Sequence, residues 1–198
     1  MQKKKAPWAR NVKRWAAGGA LWVMLAGAAY AHSFSVAIIS DDMGSPDLLQ
    51  SAVRGFLVAS AERDGHSDET ADGHLGGLDV FLTPLPAALA VGIEGLVGLT
   101  PDTFDVVVVL GETAASEGVQ GVVATTTVIK PGTLPDPVQR TGFAERYMAR
   151  YGTLPTDAAA QGYNAARRID RAVRQLGDAS QTDALRGALR NTASGLAW

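Results

Sequence analysis

Short polar segments follow the predicted β-strands of this chain, and they contain the residues best placed to contact a small molecule. In an open parallel sheet, ligands bind outside the carboxyl ends of the strands, where loops and helix N-termini present hydrogen-bond donors. The candidate segments are residues 40–45, 83–85, 111–113 and 125–127. Within them, the predicted ligand-binding residues are Ser40, Asp41, Asp42, Ser45, Thr83, Gly111, Glu112, Thr113 and Thr125.

The same residue types also have a purely structural use. Ser and Thr are favoured N-caps, so Ser45 and Thr113 could each begin a helix instead of binding a ligand. Asp41 and Asp42 are paired in sequence, but neighbouring residues at a strand end point in different directions and need not act together. The sequence contains none of the G-x-S-x-G, H-E-x-x-H or P-loop patterns. We therefore expect a protein that is not an enzyme and carries no cofactor.

The histidines offer a different chemistry. If a leader were removed after Ala31, His32 would become the N-terminus and could bind one copper ion through its amine and imidazole. His66 and His74 could supply the further ligand that such a site needs. The spacing matches no standard zinc motif, and polar loops commonly carry such residues. A periplasmic copper-binding protein is thus an alternative to the ligand-binding hypothesis.

Residues 1–31 have the three parts of a secretory signal peptide. Six basic residues occupy positions 3–14, an apolar run covers residues 15–28, and Ala29-Tyr30-Ala31 forms an A-x-A cleavage site. The sequence therefore predicts export to the periplasm by a Sec-type signal, followed by one domain over residues 32–198. The alternative is an uncleaved anchor, which would make the protein a membrane-tethered structural partner of other proteins. The run is shorter than the 20 or so apolar residues that span a bilayer.

Charge excludes one class of partner. The leader holds six of the 18 basic residues and none of the 20 acidic ones, which leaves a formal net charge of −8 on residues 32–198. Nucleic acids are bound by clustered Lys and Arg that displace counterions. We therefore expect no nucleic-acid partner.

The elements that must position these residues alternate between β-branched runs and helical stretches, which is typical of an α/β fold with a mostly parallel sheet. Four strands are predicted at residues 34–39, 78–82, 104–110 and 121–129. Helices are predicted at residues 47–64, 86–97, 139–151, 156–176 and 182–192. The valine run of the third strand has to be covered on both faces.

The helix predicted at residues 156–176 has the clearest pattern. Thr156 can cap its N-terminus and Asp157 is favourable in its first turn. A buried face is predicted from Tyr163, Ala166, Ile169, Ala172, Val173 and Leu176, which recur at three- and four-residue spacing. A solvated face is predicted from Arg167, Arg168, Arg171 and Arg174.

Residues 142–189 carry the pattern F-x3-Y-x3-Y-G-x2-P followed by Y-x-A, and residues 72–82 read DGHLGGLDVFL. Together with the strand VAII at residues 36–39, these motifs resemble the type I periplasmic solute-binding proteins of ABC transporters, the branched-chain amino acid binding family. The resemblance implies that the loops after the first and third strands contact ligand through Ser40, Asp41, Gly111 and Thr113. The family's Ser and Ala-Thr ligand contacts have no counterpart in this chain.

The family closes two lobes around its ligand, yet only about ten residues separate Leu110 from Gly121, too few for a second lobe. The resemblance therefore implies a single three-layer α/β lobe with about four strands and C-terminal helices. It implies a non-catalytic module that binds a small polar or amino-acid-like solute, or has kept only an accessory role. Another periplasmic or membrane protein could supply the second wall of the site.

Overall fold

A computed structural model describes residues 33–40, 46–63, 70–85, 104–110 and 126–198, which belong to one compact unit, Ser33–Trp198. The strands are β1 (Ser33–Ser40), β2 (His74–Leu75), β3 (Leu78–Leu85), β4 (Val106–Leu110) and β5 (Thr127–Ile129). The helices are α1 (Pro46–Ala61), α2 (Thr141–Tyr151), α3 (Asp157–Leu176) and α4 (Thr182–Arg190), with a 3-10 turn at Pro137–Arg140 before α2. The fold is α/β, as the sequence predicts.

The described strands form one sheet in the order β2-β3-β1-β4-β5. The pairs β1–β3, β1–β4 and β4–β5 are parallel, and only β2 is antiparallel to its neighbour β3. The first three predicted strands are confirmed in position. Of the fourth, predicted at residues 121–129, the structure shows a strand over Thr127–Ile129, and residues 121–125 lie outside the described part of the chain. The fifth, β2, was not predicted because it has only two residues and follows a glycine.

Alternate residues of β1 belong to two separate hydrophobic clusters, one on each face of the sheet. Phe34, Val36 and Ile38 of β1 belong to the large core that contains the buried residues of the described helices. Ala37 and Ile39 alternate with them and pack on the other face with residues of β4. All five residues of β4 are buried, which confirms that this strand is covered on both sides. The helix predicted at residues 86–97 lies outside the described residues.

Helices α1 and α3 cross in contact because each has a glycine at the crossing point. A Cβ placed on Gly55 would lie 1.8 Å from the carbonyl oxygen of Ala159, and one on Gly162 would lie 1.9 Å from that of Ala52. Atoms cannot approach so closely, so only glycine allows the two backbones to meet at this distance. This contact fixes the position of α3 over α1.

Helix α3 is the central helix of the unit. As predicted, Thr156 caps its N-terminus by accepting a hydrogen bond from the backbone N–H of Ala159 at 3.2 Å. The predicted apolar face is buried, with Leu176 only partly so. The prediction that Arg168 lies on a solvated face is wrong, because this residue is only 4% exposed. Its side chain faces the segment that follows β5, whereas Arg171 and Arg174 are exposed.

A tight hairpin joins β2 to β3. Its two central residues, Gly76 and Gly77, have φ angles of 68° and 89°, the conformation that a two-residue hairpin with positive φ at both positions requires. The backbone N–H of Gly76 donates to the carboxylate of Asp170 on α3 at 2.8 Å. The glycine-rich motif of the sequence thus ties the sheet edge to the central helix.

Among the helices that the structure describes, none is both long and apolar enough to cross a membrane.

Candidate functional site

The carboxyl ends of three neighbouring strands meet at one edge of the sheet. Ile39 is in register with Leu85, and Ser40 is in register with Leu110. The chain therefore leaves the sheet at three adjacent points, immediately after Ser40, Leu85 and Leu110. Ser40 is only 4% exposed, so it lies at the base of this edge. The structure thus places the starts of three of the predicted ligand-binding segments side by side.

Most of the predicted site residues lie outside the described part of the chain. These are Asp41, Asp42, Ser45, Gly111, Glu112, Thr113 and Thr125, together with the alternative copper ligands His32 and His66. What the structure describes is the scaffold from which these segments depart, with Ser40 and Thr83 as the site residues within it.

Thr83 lies within β3, two residues before the strand ends, and is exposed. Its register partner is Ala37, which belongs to the second face of the sheet. Thr83 therefore presents its hydroxyl on that face near the carboxyl edge. Phe81, two residues earlier on the same face, is 41% exposed.

The segment at residues 125–127 was predicted to join this edge, and that prediction is wrong for the residues described. Thr127 begins β5 and is in register with Val106, the first residue of β4. Thr126 donates its hydroxyl to the carbonyl oxygen of Phe104 at 2.9 Å. Both threonines are buried at the amino edge, opposite to Ser40. The β-branched run in the sequence has no residue that marks where the strand begins.

The segment that does leave β5 on the carboxyl side begins at Lys130. Asn164 of α3 holds it, because its amide nitrogen donates to the carbonyl oxygens of Pro131 at 2.8 Å and Thr133 at 3.2 Å. No role was predicted for this segment, residues 130–137, which is the connector between β5 and the 3-10 turn before α2. The signal that could have identified it was Lys130-Pro131-Gly132, which ends the β-branched run.

Arg168 of α3 also binds this connector, through hydrogen bonds from its side chain. Its guanidinium donates to the carbonyl oxygen of Lys130, to that of Leu189 at 2.9 Å and to the hydroxyl of Thr192 at 3.1 Å. Burial lowers the pKa of Arg168, but an arginine stays charged at neutral pH. One buried side chain thus joins the end of β5 to the end of α4.

Two open clefts border the C-terminal residues and contain none of the predicted site residues. The larger, about 550 Å³, lies between residues 133–135 and residues 194–198. The smaller, about 290 Å³, is bordered by Arg171, Gln175 and Asn191. Trp198 borders the larger cleft, packs against Tyr163 at 4.7 Å between ring centroids, and donates its indole N–H to Asn164 at 3.1 Å.

His74 lies in β2 at the opposite side of the sheet from β5. Its Nε2 atom is 2.7 Å from the carboxylate of Asp79, and its side chain is 14% exposed. Within the described ranges, no group of three or more His, Asp or Glu side chains is arranged to hold a metal ion. The copper alternative depends on His32 and His66 and stays a prediction.

Comparisons with known proteins add one finding. No protein-family model matches the chain, and no curated protein matches it. Among solved structures, it is similar to a branched-chain amino acid ABC transporter periplasmic ligand-binding protein from Burkholderia xenovorans LB400, with 17% sequence identity and a TM-score of 0.29. The similarity covers 86% of this chain and 49% of that protein, so the chain spans about half of its length.

Proposed function

We propose that the protein is a non-catalytic module of the solute-binding type, exported to the periplasm, which binds a small polar, amino-acid-like ligand at the carboxyl edge of its sheet. The observation that carries this proposal is the register of the strands. Ser40, Leu85 and Leu110 end three parallel neighbours at one edge, where α/β sheets bind ligands. The segments that follow these residues carry the carboxylates, hydroxyls and glycine that an amino acid requires.

These segments contain groups that can bind both the ammonium and the carboxylate group of an amino-acid-like ligand. Asp41 or Glu112 would bind the ammonium group, since a carboxylate accepts charge-assisted hydrogen bonds. Thr113 and the backbone N–H of Gly111 would bind the carboxylate of the ligand. Ser40 supports the site from its buried position at the end of β1.

A single sheet edge forms only one wall of a site, so the ligand would stay partly in contact with water. Water weakens each polar contact, and we expect an affinity below that of a site that closes around its ligand. A second periplasmic or membrane protein that covered this edge would complete the site. The protein then acts as an accessory module, and its ligand affinity rises when that partner is present.

Calorimetric titration of protein purified from the periplasm with a panel of amino acids tests the proposal. Loss of a hydrogen bond to a charged group costs about 1.5–3 kcal/mol, so Asp41→Asn should weaken the best ligand at least about tenfold. The matched control is Asp183→Asn, because Asp183 is fully exposed on α4, whose start lies beside Thr127 at the amino edge. We expect the control to bind within twofold of the unmodified protein. Equal affinities for all three proteins would contradict the site.

Export has its own test. The A-x-A site predicts that periplasmic protein begins at His32, so its intact mass should lack residues 1–31. A membrane-bound form that retains these residues would contradict cleavage and favour the tethered alternative.

A further inference from the structure

The F-x3-Y-x3-Y motif forms a row of aromatic rings along α2. The ring centroids of Phe143 and Tyr147 are 5.7 Å apart, and those of Tyr147 and Tyr151 are 4.9 Å apart. Phe143 also packs on Tyr163 of α3 at 4.4 Å. Phe143 and Tyr147 are buried, and Tyr151 ends the row at the surface between α1 and α2.

Four arginines surround the tyrosines of this cluster. The guanidinium carbons of Arg54 and Arg150 lie 5.2 Å and 5.7 Å from the ring centroid of Tyr151. Those of Arg146 and Arg167 lie 5.9 Å and 5.8 Å from the ring centroid of Tyr163. Arg146 and Arg150 are one helical turn apart on α2. The arginine pair around Tyr151 therefore lies next to the arginine pair around Tyr163. We call this surface, Arg54, Arg146, Arg150 and Arg167, the guanidinium face.

Within the residues that the structure describes, a carboxylate pairs with one of the four arginines of this face. Arg146 pairs with Glu62 at 2.6 Å. Burial alone would lower the pKa of Arg146, but the hydroxyl of Tyr163 and the carboxylate of Glu62 outweigh it and raise this pKa. Among the described residues, the other three arginines form no ion pair. Arg150 donates to the carbonyl oxygen of Leu57 at 3.0 Å, and Arg167 donates to that of Ala197 at 3.3 Å.

The aromatic rings hold the guanidinium groups in place before any partner arrives. Stacking on a ring is favourable for a guanidinium, and it restricts a long side chain that would otherwise lose more conformational entropy on binding. Tyr151 is itself fixed, since its hydroxyl donates to the carbonyl oxygen of Arg54 at 3.4 Å. The face therefore presents several planar donors, the geometry that suits carboxylates.

We propose that the guanidinium face binds a carboxylate-rich segment of a protein partner. The chain as a whole carries 20 acidic residues against 18 basic ones, so the parts of a long polyanion that extend beyond the face, such as a nucleic acid or an anionic bilayer, would gain little net attraction. A short acidic peptide segment contacts the face alone and does not depend on the charge of the remaining surface. The inference goes beyond the proposed ligand site, because the face lies on α1, α2 and α3 and contains none of the predicted ligand-binding residues.

The test uses the purified protein and a fluorescently labelled hexaglutamate peptide with both ends blocked, followed by anisotropy at low and moderate salt. The double variant Arg54→Gln, Arg150→Gln should bind the peptide at least tenfold more weakly. The control is Arg171→Gln, Arg190→Gln, which removes the same charge from exposed positions elsewhere on α3 and α4 and should bind within twofold. Affinity should fall as salt increases. Equal losses in both double variants, or no binding to the unmodified protein, would overturn the proposal.

A second measurement avoids substitution. In the unmodified protein, the side-chain Nε–H signals of Arg54 and Arg150 should shift on addition of hexaglutamate, whereas that of Arg171 should not. Unchanged signals for Arg54 and Arg150 would overturn the proposal. So would tighter binding of phosphatidylglycerol vesicles or inorganic phosphate than of the peptide, with the same dependence on Arg54 and Arg150, because it would assign the face to lipid or phosphate.

Discussion

Arg168 shows how one residue can hold three parts of the chain together. A buried guanidinium is costly to desolvate, and its benefit depends on how many acceptors it satisfies. Arg168 satisfies acceptors in the connector after β5, in the last turn of α4 and in the residues that follow. These contacts explain why a residue that the helical pattern assigns to the surface is buried.

Replacement of Arg168 by methionine keeps most of the volume and removes every donor. The carbonyl oxygens of Lys130 and Leu189 and the hydroxyl of Thr192 then each lose a charged donor, and a hydrogen bond to a charged group contributes about 1.5–3 kcal/mol. We expect Arg168→Met to lower the free energy of unfolding by about 2–4 kcal/mol in urea denaturation. The control is Arg171→Met on the exposed side of the same helix, which should change it by less than about 0.5 kcal/mol. Similar values for the two variants would contradict the role of Arg168.

Asp178 gives a prediction about pH. The backbone N–H and the hydroxyl of Ser180 each donate to its carboxylate at 2.8 Å, and these hydrogen bonds lower the pKa of Asp178 in the folded protein. A carboxyl group with a lowered folded pKa stabilises the fold above its unfolded pKa, and the contribution is lost as pH falls through the folded pKa.

The Asp178→Asn variant should therefore be less stable than the unmodified protein at pH 7, by under about 1 kcal/mol because solvent screens this partly exposed carboxylate. The difference should shrink as pH falls below the usual range of an aspartate. Urea denaturation at pH 7 and at successively lower pH measures it. A difference that stays constant at all pH values would show that ionisation of Asp178 is not the cause.

At the scale of elements, the glycine contact between α1 and α3 is the feature most sensitive to substitution. A methyl group on Gly55 or Gly162 would overlap a backbone carbonyl, which cannot move without displacing its helix. Overpacking costs about 1–3 kcal/mol or more, and exceeds the gain of about 1 kcal/mol that alanine brings to a helix.

We therefore expect Gly55→Ala and Gly162→Ala to lower the melting temperature. Gly187→Ala is the matched control, because the nearest atom to its added Cβ is the end of the Arg190 side chain at 3.9 Å. This control should raise stability by up to about 1 kcal/mol through helix propensity. Stabilisation by all three substitutions would show that α1 and α3 are not in close contact.

The outer edge of β3 is closed by three different means. The N–H of Val80 donates to the carbonyl oxygen of Gly73 at 3.0 Å, and the N–H of Leu82 donates to the carboxylate of Asp72 at 2.8 Å. Pro84, the next residue on this side, has no N–H. Exposed strand edges pair with other chains, so these features limit self-association. We expect Asp72→Ala to increase the fraction of larger species in analytical ultracentrifugation, and a size distribution equal to that of the unmodified protein would contradict this role.

The elements that could be predicted are those whose residue pattern lies within the element itself. Short runs of apolar and β-branched residues located β1, β3 and β4, and Thr156 with the apolar spacing that follows it located α3. The sequence could not predict β2, which exists only through its pairing with β3 across the Gly76-Gly77 turn. It also assigned Thr126 and Thr127 to the carboxyl edge, whereas register with Val106 places the start of β5 at the amino edge. The burial of Arg168 depends on acceptors that are 21 to 38 residues away in sequence.

At the scale of the whole molecule, residues Ser33–Trp198 form one compact unit. A domain of this length has a radius of gyration of about 15–16 Å, so X-ray scattering from the processed protein should give a value in this range. Addition of an amino acid should leave the value unchanged, because a single lobe has no second lobe to close. A contraction on ligand addition would contradict the single-lobe organisation.

The most direct test of the central claim maps the ligand site itself. Backbone amide signals of the ¹⁵N-labelled protein should be recorded by NMR during titration with the amino acid that binds best. The proposed site predicts that the shifts concentrate at Ser40, Leu85 and Leu110 and at the residues that follow each of them, while Thr127 at the amino edge stays unchanged. Shifts confined to Thr127 and its neighbours or to the cleft beside Trp198, or no shifts with any amino acid, would contradict ligand binding at the carboxyl edge.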